Sequence, residues 1–489
     1  MITHGFRRVI RHIPKVLLII VSALLGAVAA ALVVAVMVLN SKPDLAVWHL
    51  AHLDEEFTTG TPVGSLKDYL DLEERLFAQL KREVYDKIED RQKTRFNRYN
   101  AGSAADPAMW TQNWNRTYQL SHEAPSFGVL MLHGYSDSPY SLRFLADRLH
   151  RDGAEVLGLR IPGHGTAPSA LIQTTFADMA AAVRIGARHL ADELGGKPFY
   201  IVGYSNGGAL ATHYALASVE DPTLPQPAGI ILISPEIGIT EIAAYSDWQA
   251  RLGDLLRLSK LAWNQVEPEY DPYKYNSFAV NAGYQAYQAT VEIKAQLDRL
   301  AEQGKLGEIQ PILAFQSAAD ATVEAQALLT RLFDRLQSEG HQLVVFDVNR
   351  MFAAQGLLNG ALDVDGLLAG PPHSYDVAVL TNQDNDSAAV VVRGRAAGDD
   401  AVTTTPLGLS WPDEVYSLSH IALPFPPDDP LYGEGGGREN PGLRLGRLDL
   451  RGENHTLAIP NTAMTRQHWN PFFSYLSDRA LAFVKETAK

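Results

Sequence analysis

Between Phe127 and Phe346 short apolar runs alternate with longer amphipathic stretches. The runs at 127–132, 154–159, 199–202, 229–233, 311–315 and 342–346 are rich in Leu, Ile and Val and bounded by Gly, Pro or polar residues. Such runs mark strands buried on both faces. The stretches at 141–152 and 176–194 read as helices between them. Strand–helix alternation of this kind predicts an α/β fold with a mostly parallel sheet flanked by helices. Upstream, Tyr69, Leu72, Leu76, Leu80, Val84 and Ile88 recur every three or four positions among charged residues, the pattern of one amphipathic helix packed on the main domain. Two insertions interrupt the alternation. Residues 236–307 hold Trp248, Trp263 and many tyrosines without a clear sheet strand; residues 350–410 are Gly- and Asp-rich with two short apolar runs.

The N-terminus departs from this pattern. Residues 16–39 contain no charge and no proline, and Arg7, Arg8, Arg11 and Lys15 precede them with no acid between. A spanning helix needs about 20 apolar residues, whereas the apolar part of a cleaved signal is about 7–15. The length favours an uncleaved transmembrane anchor. The basic flank places the N-terminus in the cytoplasm and the body of the chain in the periplasm or outside. The expected organisation is a basic tail and anchor over 1–41, a helical extension over 42–121 and the α/β domain over 122–489.

Composition narrows the chemistry. The 489 residues carry a net charge of −14, with the basic cluster confined to the tail. So acidic a body is a poor partner for nucleic acid. There is no cysteine, which removes disulfides, thiolate metal sites and a Cys nucleophile together. The acidic loops at 363–366 and 382–386 echo calcium loops but lack the downstream Glu, so neither is read as a metal site. Trp110 and Trp114 are read as helix packing at i, i+4.

The strongest motif is Gly203-Tyr204-Ser205-Asn206-Gly207, set between an apolar strand and a small-residue helix. That context is the strand–turn–helix elbow that presents a serine nucleophile. His133-Gly134-Tyr135-Ser136 follows the first core strand, where an acyl-transfer enzyme draws one oxyanion donor. The backbone amides of Tyr135 and Asn206 are the expected donors, with His133 structural. Together with Pro162-Gly163-His164-Gly165 these segments resemble the α/β-hydrolase superfamily, more narrowly its lysophospholipase, monoacylglycerol lipase and carboxylesterase branch. The resemblance runs from about 125 to 325 and resumes near Trp411.

The resemblance implies a serine hydrolase of carboxylic esters, lipid-like or acyl, acting through an acyl-enzyme without a cofactor or metal. It places a cap at 236–307 and gives His164 a loop-shaping role. Asp320, after the strand at 311–315, fits the family's acid loop, with Asp347 the rival. The histidine must follow the acid; His341, His373, His420, His455 and His468 qualify by order. His420 is preferred, because it follows a strand expected at 414–418 and sits in a small-residue–His–apolar setting. The 350–410 insertion then delays it in sequence without moving it in space. A peptidase, amidase or acyltransferase would use the same triad, and a silent hydrolase fold could serve as a tethered binding module.

Overall fold

The computed structural model describes residues 42–238, 258–352, 361–435, 442–446 and 465–488, with scattered positions between 21 and 37. Twelve strands are present among them: β1 Tyr118–Leu120, β2 Phe127–Leu132, β3 Ala154–Leu159, β4 Phe199–Tyr204, β5 Gly229–Ile233, β6 Trp263–Gln265, β7 Phe278–Ala279, β8 Ile312–Ser317, β9 Gln342–Phe346, β10 Asp376–Asn382, β11 Ala389–Arg395 and β12 Val402–Ser410. Ten of them form one sheet in the order β1-β3-β2-β4-β5-β8-β9-β10-β11-β12. From β3 to β10 every pairing is parallel. β1, β11 and β12 are antiparallel.

Alternation along the strands feeds two cores. Leu130, Leu132, Leu157 and Leu159 face one side, where α3 Phe176–Leu194, α4 Asn206–Glu220 and α5 Val280–Glu302 pack, together with α1 Leu66–Glu83 from the N-terminal extension. Val129, Met131, Val156 and Val202 face the other, under α2 Arg143–Arg151 and α6 Phe473–Thr487. The core strands β2, β3, β4, β5, β8 and β9 are buried along their whole length, which is why they read as unbroken apolar runs.

Several expectations need correction. The helix of the extension stops at Glu83, and Val84 and Ile88 pack through a following 3-10 turn, Tyr85–Lys87. β1 lies inside the expected extension yet pairs with β3, so the sheet begins before residue 121. The supposed insertion at 350–410 carries β10 to β12 and lengthens the sheet. β10 is parallel to β9 in register Val377↔Leu343, and its apolar Val377, Val379 and Leu380 are buried. In the expected cap, α5 instead buries Ala289, Ile293, Leu297 and Leu300 in the main core, and 239–257 fall outside the described residues. No strand forms at 414–418. Trp110 and Trp114 do not share a helix; Trp110 packs edge-on to Tyr140 and Tyr273, Trp114 to Tyr118. Asp363 caps a short helix by accepting from the Gly366 amide at 2.9 Å.

The expected anchor at 16–39 lies largely outside the described residues. Its described members, among them Val21, Leu25, Val33 and Met37, are helical and exposed. No helix among the described residues is long and apolar enough to cross a membrane.

Candidate active site

Ser205 stands between the end of β4 and the first residue of α4, with φ +54° and ψ −118°. A non-glycine residue rarely adopts that backbone, and its surroundings hold it there. Its amide donates to the Ile233 carbonyl at 3.0 Å, and its carbonyl accepts from Gly208 at 2.9 Å and Glu236 at 3.1 Å. The flanking glycines are forced by contact. A Cβ on Gly203 would meet the Gly207 carbonyl oxygen at 2.2 Å, and one on Gly207 would meet the Leu132 carbonyl oxygen at 2.0 Å.

The histidine loop is tied to the ends of β8 and β9. Ser317 Oγ donates to the Leu418 carbonyl at 2.8 Å, and Asn349 donates from its amide to the Tyr416 carbonyl at 2.8 Å and from Nδ2 to the Val415 carbonyl at 3.0 Å. Thus irregular backbone, secured by side chains, delivers His420 where a strand was expected. Its Nδ1 lies 2.8 Å from Asp320 Oδ2, with both side chains nearly sealed from solvent. The other oxygen of Asp320 accepts from the amides of Thr322 at 2.8 Å and Val323 at 3.1 Å. Burial pushes this carboxyl up, but the His420 ring and these amides outweigh burial and hold it below its usual value.

Ser205 and His420 line one cavity of about 640 Å³, together with Gly134 and Tyr135. Among the described residues neither the Tyr135 nor the Asn206 amide donates to a protein acceptor. The first amides of a helix have no partner within it, and the Asn206 side chain turns away to Met179. His133 is structural: Nε2 accepts from the Ile161 amide at 3.0 Å and Nδ1 donates to the Gly134 carbonyl at 2.9 Å. Burial lowers its pKa well below the usual value, keeping the ring neutral.

Three of the rival residues, Asp347, His341 and His373, are engaged elsewhere. Asp347 accepts from Thr381 at 2.6 Å and from Arg350 at 2.7 Å. His341 lies at the start of β9, accepting from the Ile312 amide at 3.1 Å. His373 stacks on Tyr375. His468 lines the cavity against Tyr432, and His455 falls outside the described residues. His164 is buried, with Nδ1 on the Pro162 carbonyl at 2.9 Å. Five charged groups in the cavity, Glu236, Glu267, Asp271, Lys274 and Arg466, carried no motif in the sequence.

Part of the chain is similar to known proteins. A family profile described as serine aminopeptidase, S33, matches residues 123–350. A thermostable monoacylglycerol lipase of Bacillus sp. (strain H-257) is 29% identical over 197 residues, 40% of this chain and 71% of that protein. Over the matched span the chain has the α/β-hydrolase fold. Within it, this hydrolase resembles the monoacylglycerol lipase and esterase branch. Solved structures similar to the hydrolase include a monoacylglycerol lipase of Paleococcus ferrophilus, 17% identical, covering 47% of this chain and 89% of that one at a TM-score of 0.36. A soluble variant of the monoglyceride lipase of Saccharomyces cerevisiae is 15% identical, covering 47% and 82% at 0.37. The matched span of the hydrolase takes in the elbow and the acid loop but stops before His420.

Proposed function

We propose that this protein is a membrane-anchored serine hydrolase of carboxylic esters. The observation that carries the reading is the His420–Asp320 pair at 2.8 Å, with His420 lining the same cavity as the strained elbow serine. Ser205 Oγ attacks the carbonyl carbon and His420 takes its proton through the nitrogen that does not face Asp320. Negative charge gathering on the carbonyl oxygen is held by the amides of Tyr135 and Asn206. The ester C–O bond breaks, and His420 returns the proton to the departing alcohol. Water, deprotonated by the same ring, then adds to the acyl carbon; the bond to Ser205 Oγ breaks, His420 returns the proton to that oxygen, and the acid leaves. The relative from Bacillus, named a monoacylglycerol lipase, supports an ester with a fatty acyl chain. The uncharged stretch at 16–39 behind its basic flank supports the anchor, with the catalytic body on the far side of the membrane.

Labelling with a fluorophosphonate tests the nucleophile. Full-length protein in detergent is expected to label at Ser205 and to lose ester turnover by about three orders of magnitude or more in Ser205→Ala. Labelling at another serine, or full activity in the variant, overturns the assignment. The family profile's description as a peptidase favours amide cleavage as a second reading. An aminoacyl anilide turned over faster than an ester of matched acyl group would support it.

A further inference from the structure

Lys42 is three positions past the uncharged stretch 16–39. A chain covers at most about 3.5 Å per residue, so Lys42 stands within about 10 Å of the end of that stretch. The structure ties this same residue to the wall of the catalytic cavity. Lys42 Nζ donates to the carbonyl of Lys260 at 3.4 Å and to that of Trp263. Lys260 Nζ answers, donating to the Lys42 carbonyl at 3.0 Å and to Asp44 Oδ1 at 3.0 Å. A second tie follows at His49. Its Nδ1 accepts from the Ala46 amide at 2.9 Å, which leaves the ring proton on Nε2 to donate to Ser277 Oγ at 2.9 Å. The same ring stands edge-on to the buried Trp263 at 4.9 Å.

What these ties grip is the β6–β7 pair and the segment between its strands. Gln265, Glu267 and Phe278 of that segment line the cavity with Ser205. Ser277 Oγ accepts from the Glu267 amide at 3.0 Å and donates to the Glu267 carbonyl at 3.1 Å. On its other side the segment meets the expected oxyanion loop. The Tyr275 amide donates to the Ser136 carbonyl at 2.6 Å, and the Phe278 ring stands edge-on to Tyr135 at 6.5 Å. Leu45 and Tyr135 pack against one buried cluster that holds Trp263, Val266, Tyr275 and Ala279. Residues next to the uncharged stretch and residues next to Ser205 thus belong to one packed body. Close packing passes a displacement on rather than absorbing it. A loose leash between anchor and enzyme would need none of these contacts.

We propose that residues 42–49 clasp the β6–β7 wall of the catalytic cavity to the membrane surface, so that esters lying in the bilayer are taken ahead of dissolved ones. The clasp fixes the distance from bilayer to cavity, and an ester confined to that surface then meets Ser205 at a high effective concentration. This rests on the anchored ester-hydrolase reading of the same chain.

The test uses the full-length protein in phosphatidylcholine vesicles, at native length and with a flexible spacer of about thirty Gly and Ser residues inserted between Asn40 and Ser41. The spacer precedes the clasp and leaves its contacts intact. Two esters are compared, a long-chain monoacylglycerol carried in the vesicles and a dissolved butyrate ester. Effective concentration falls roughly as the −3/2 power of tether length, so the spacer is expected to lower turnover of the bilayer-borne ester about tenfold or more. Turnover of the dissolved ester should stay unchanged, which also shows that the spaced protein is folded. A second readout needs no substrate. The chain has no cysteine, so Leu258→Cys, an exposed position just before Lys260, takes a single fluorophore. Lipid spin-labelled at its headgroup is expected to quench this label at native length, and the quenching should weaken with the spacer. A bilayer-borne ester indifferent to the spacer, an equal loss on both esters, or quenching that is absent at native length or unmoved by the spacer overturns the proposal. Protein that parts from the vesicles on flotation removes the anchor and this proposal with it. If neither ester is turned over, the ester reading fails and the proposal falls too; an anchored enzyme active on both and unaffected by the spacer removes the clasp alone.

Discussion

A methyl group on Gly134 would stand 3.0 Å from the Cβ of Ser205, so a side chain on the residue before the expected oxyanion donor would crowd Ser205. His133 holds the Gly134 carbonyl, and because a trans peptide points its N–H opposite its C=O, that bond also aims the Tyr135 amide. Such residues were legible because each sits in a contiguous motif. Glu236 was not: it lies thirty-one positions past Ser205 in sequence, and only the fold turns it into the cavity. Its carboxyl is buried without a hydrogen bond among the described residues, and burial pushes its pKa from 4.5 up to about 8. A group whose folded-state pKa is raised contributes stability that is full below its unfolded pKa and is lost as pH rises through the folded one. Thermal unfolding is therefore expected to fall by a few degrees between about pH 5 and pH 8 through this residue. Glu236→Gln should flatten that slope, and an unchanged slope in the variant would show that the carboxyl ionises without cost.

Among the elements, the parallel strands were readable because burial on both faces leaves a continuous apolar run. β10 to β12 were not, because β11 and β12 are partly exposed and polar residues break their runs. The place of the N-terminal extension was equally hidden, since it depends on pairs remote in sequence. Arg160, on the loop after β3, donates from Nη2 to Glu56 at 2.9 Å and from Nε to Glu73 at 3.1 Å, with its side chain wholly buried. A third bond, from Nη1 to the His164 carbonyl at 3.0 Å, joins the Pro162–Gly165 loop to the same cation. Removing one partner of a buried ionic cluster leaves the others uncompensated, at a cost of about 3–5 kcal/mol. Arg160→Met should lower stability on that scale in urea unfolding. A loss below about 1 kcal/mol would mean that water reaches Glu56 and Glu73 freely.

For the whole molecule, charge and hydropathy are divided along the chain: a basic tail, an uncharged stretch, then an acidic body. The proposed anchor predicts that the full-length protein stays with membranes through alkaline carbonate washing and keeps an N-terminus upstream of Val16. A mature chain starting beyond Leu39 would instead identify a removed signal. Asp320 and His420 meet across one hundred residues because the excursion between them ends where it began: β10 runs parallel to β9, β11 comes back antiparallel, and β12 runs out again to the same end of the sheet. That excursion also leaves β12 as the outermost strand of the sheet, with most of its residues exposed. An unpaired margin of backbone invites another chain to add itself, the first step toward aggregation. This margin is a poor template for such growth, for Pro406 has no N–H to offer, Gly408 turns to φ +71°, and the register slips between Ala389 and Val391 on the neighbouring strand.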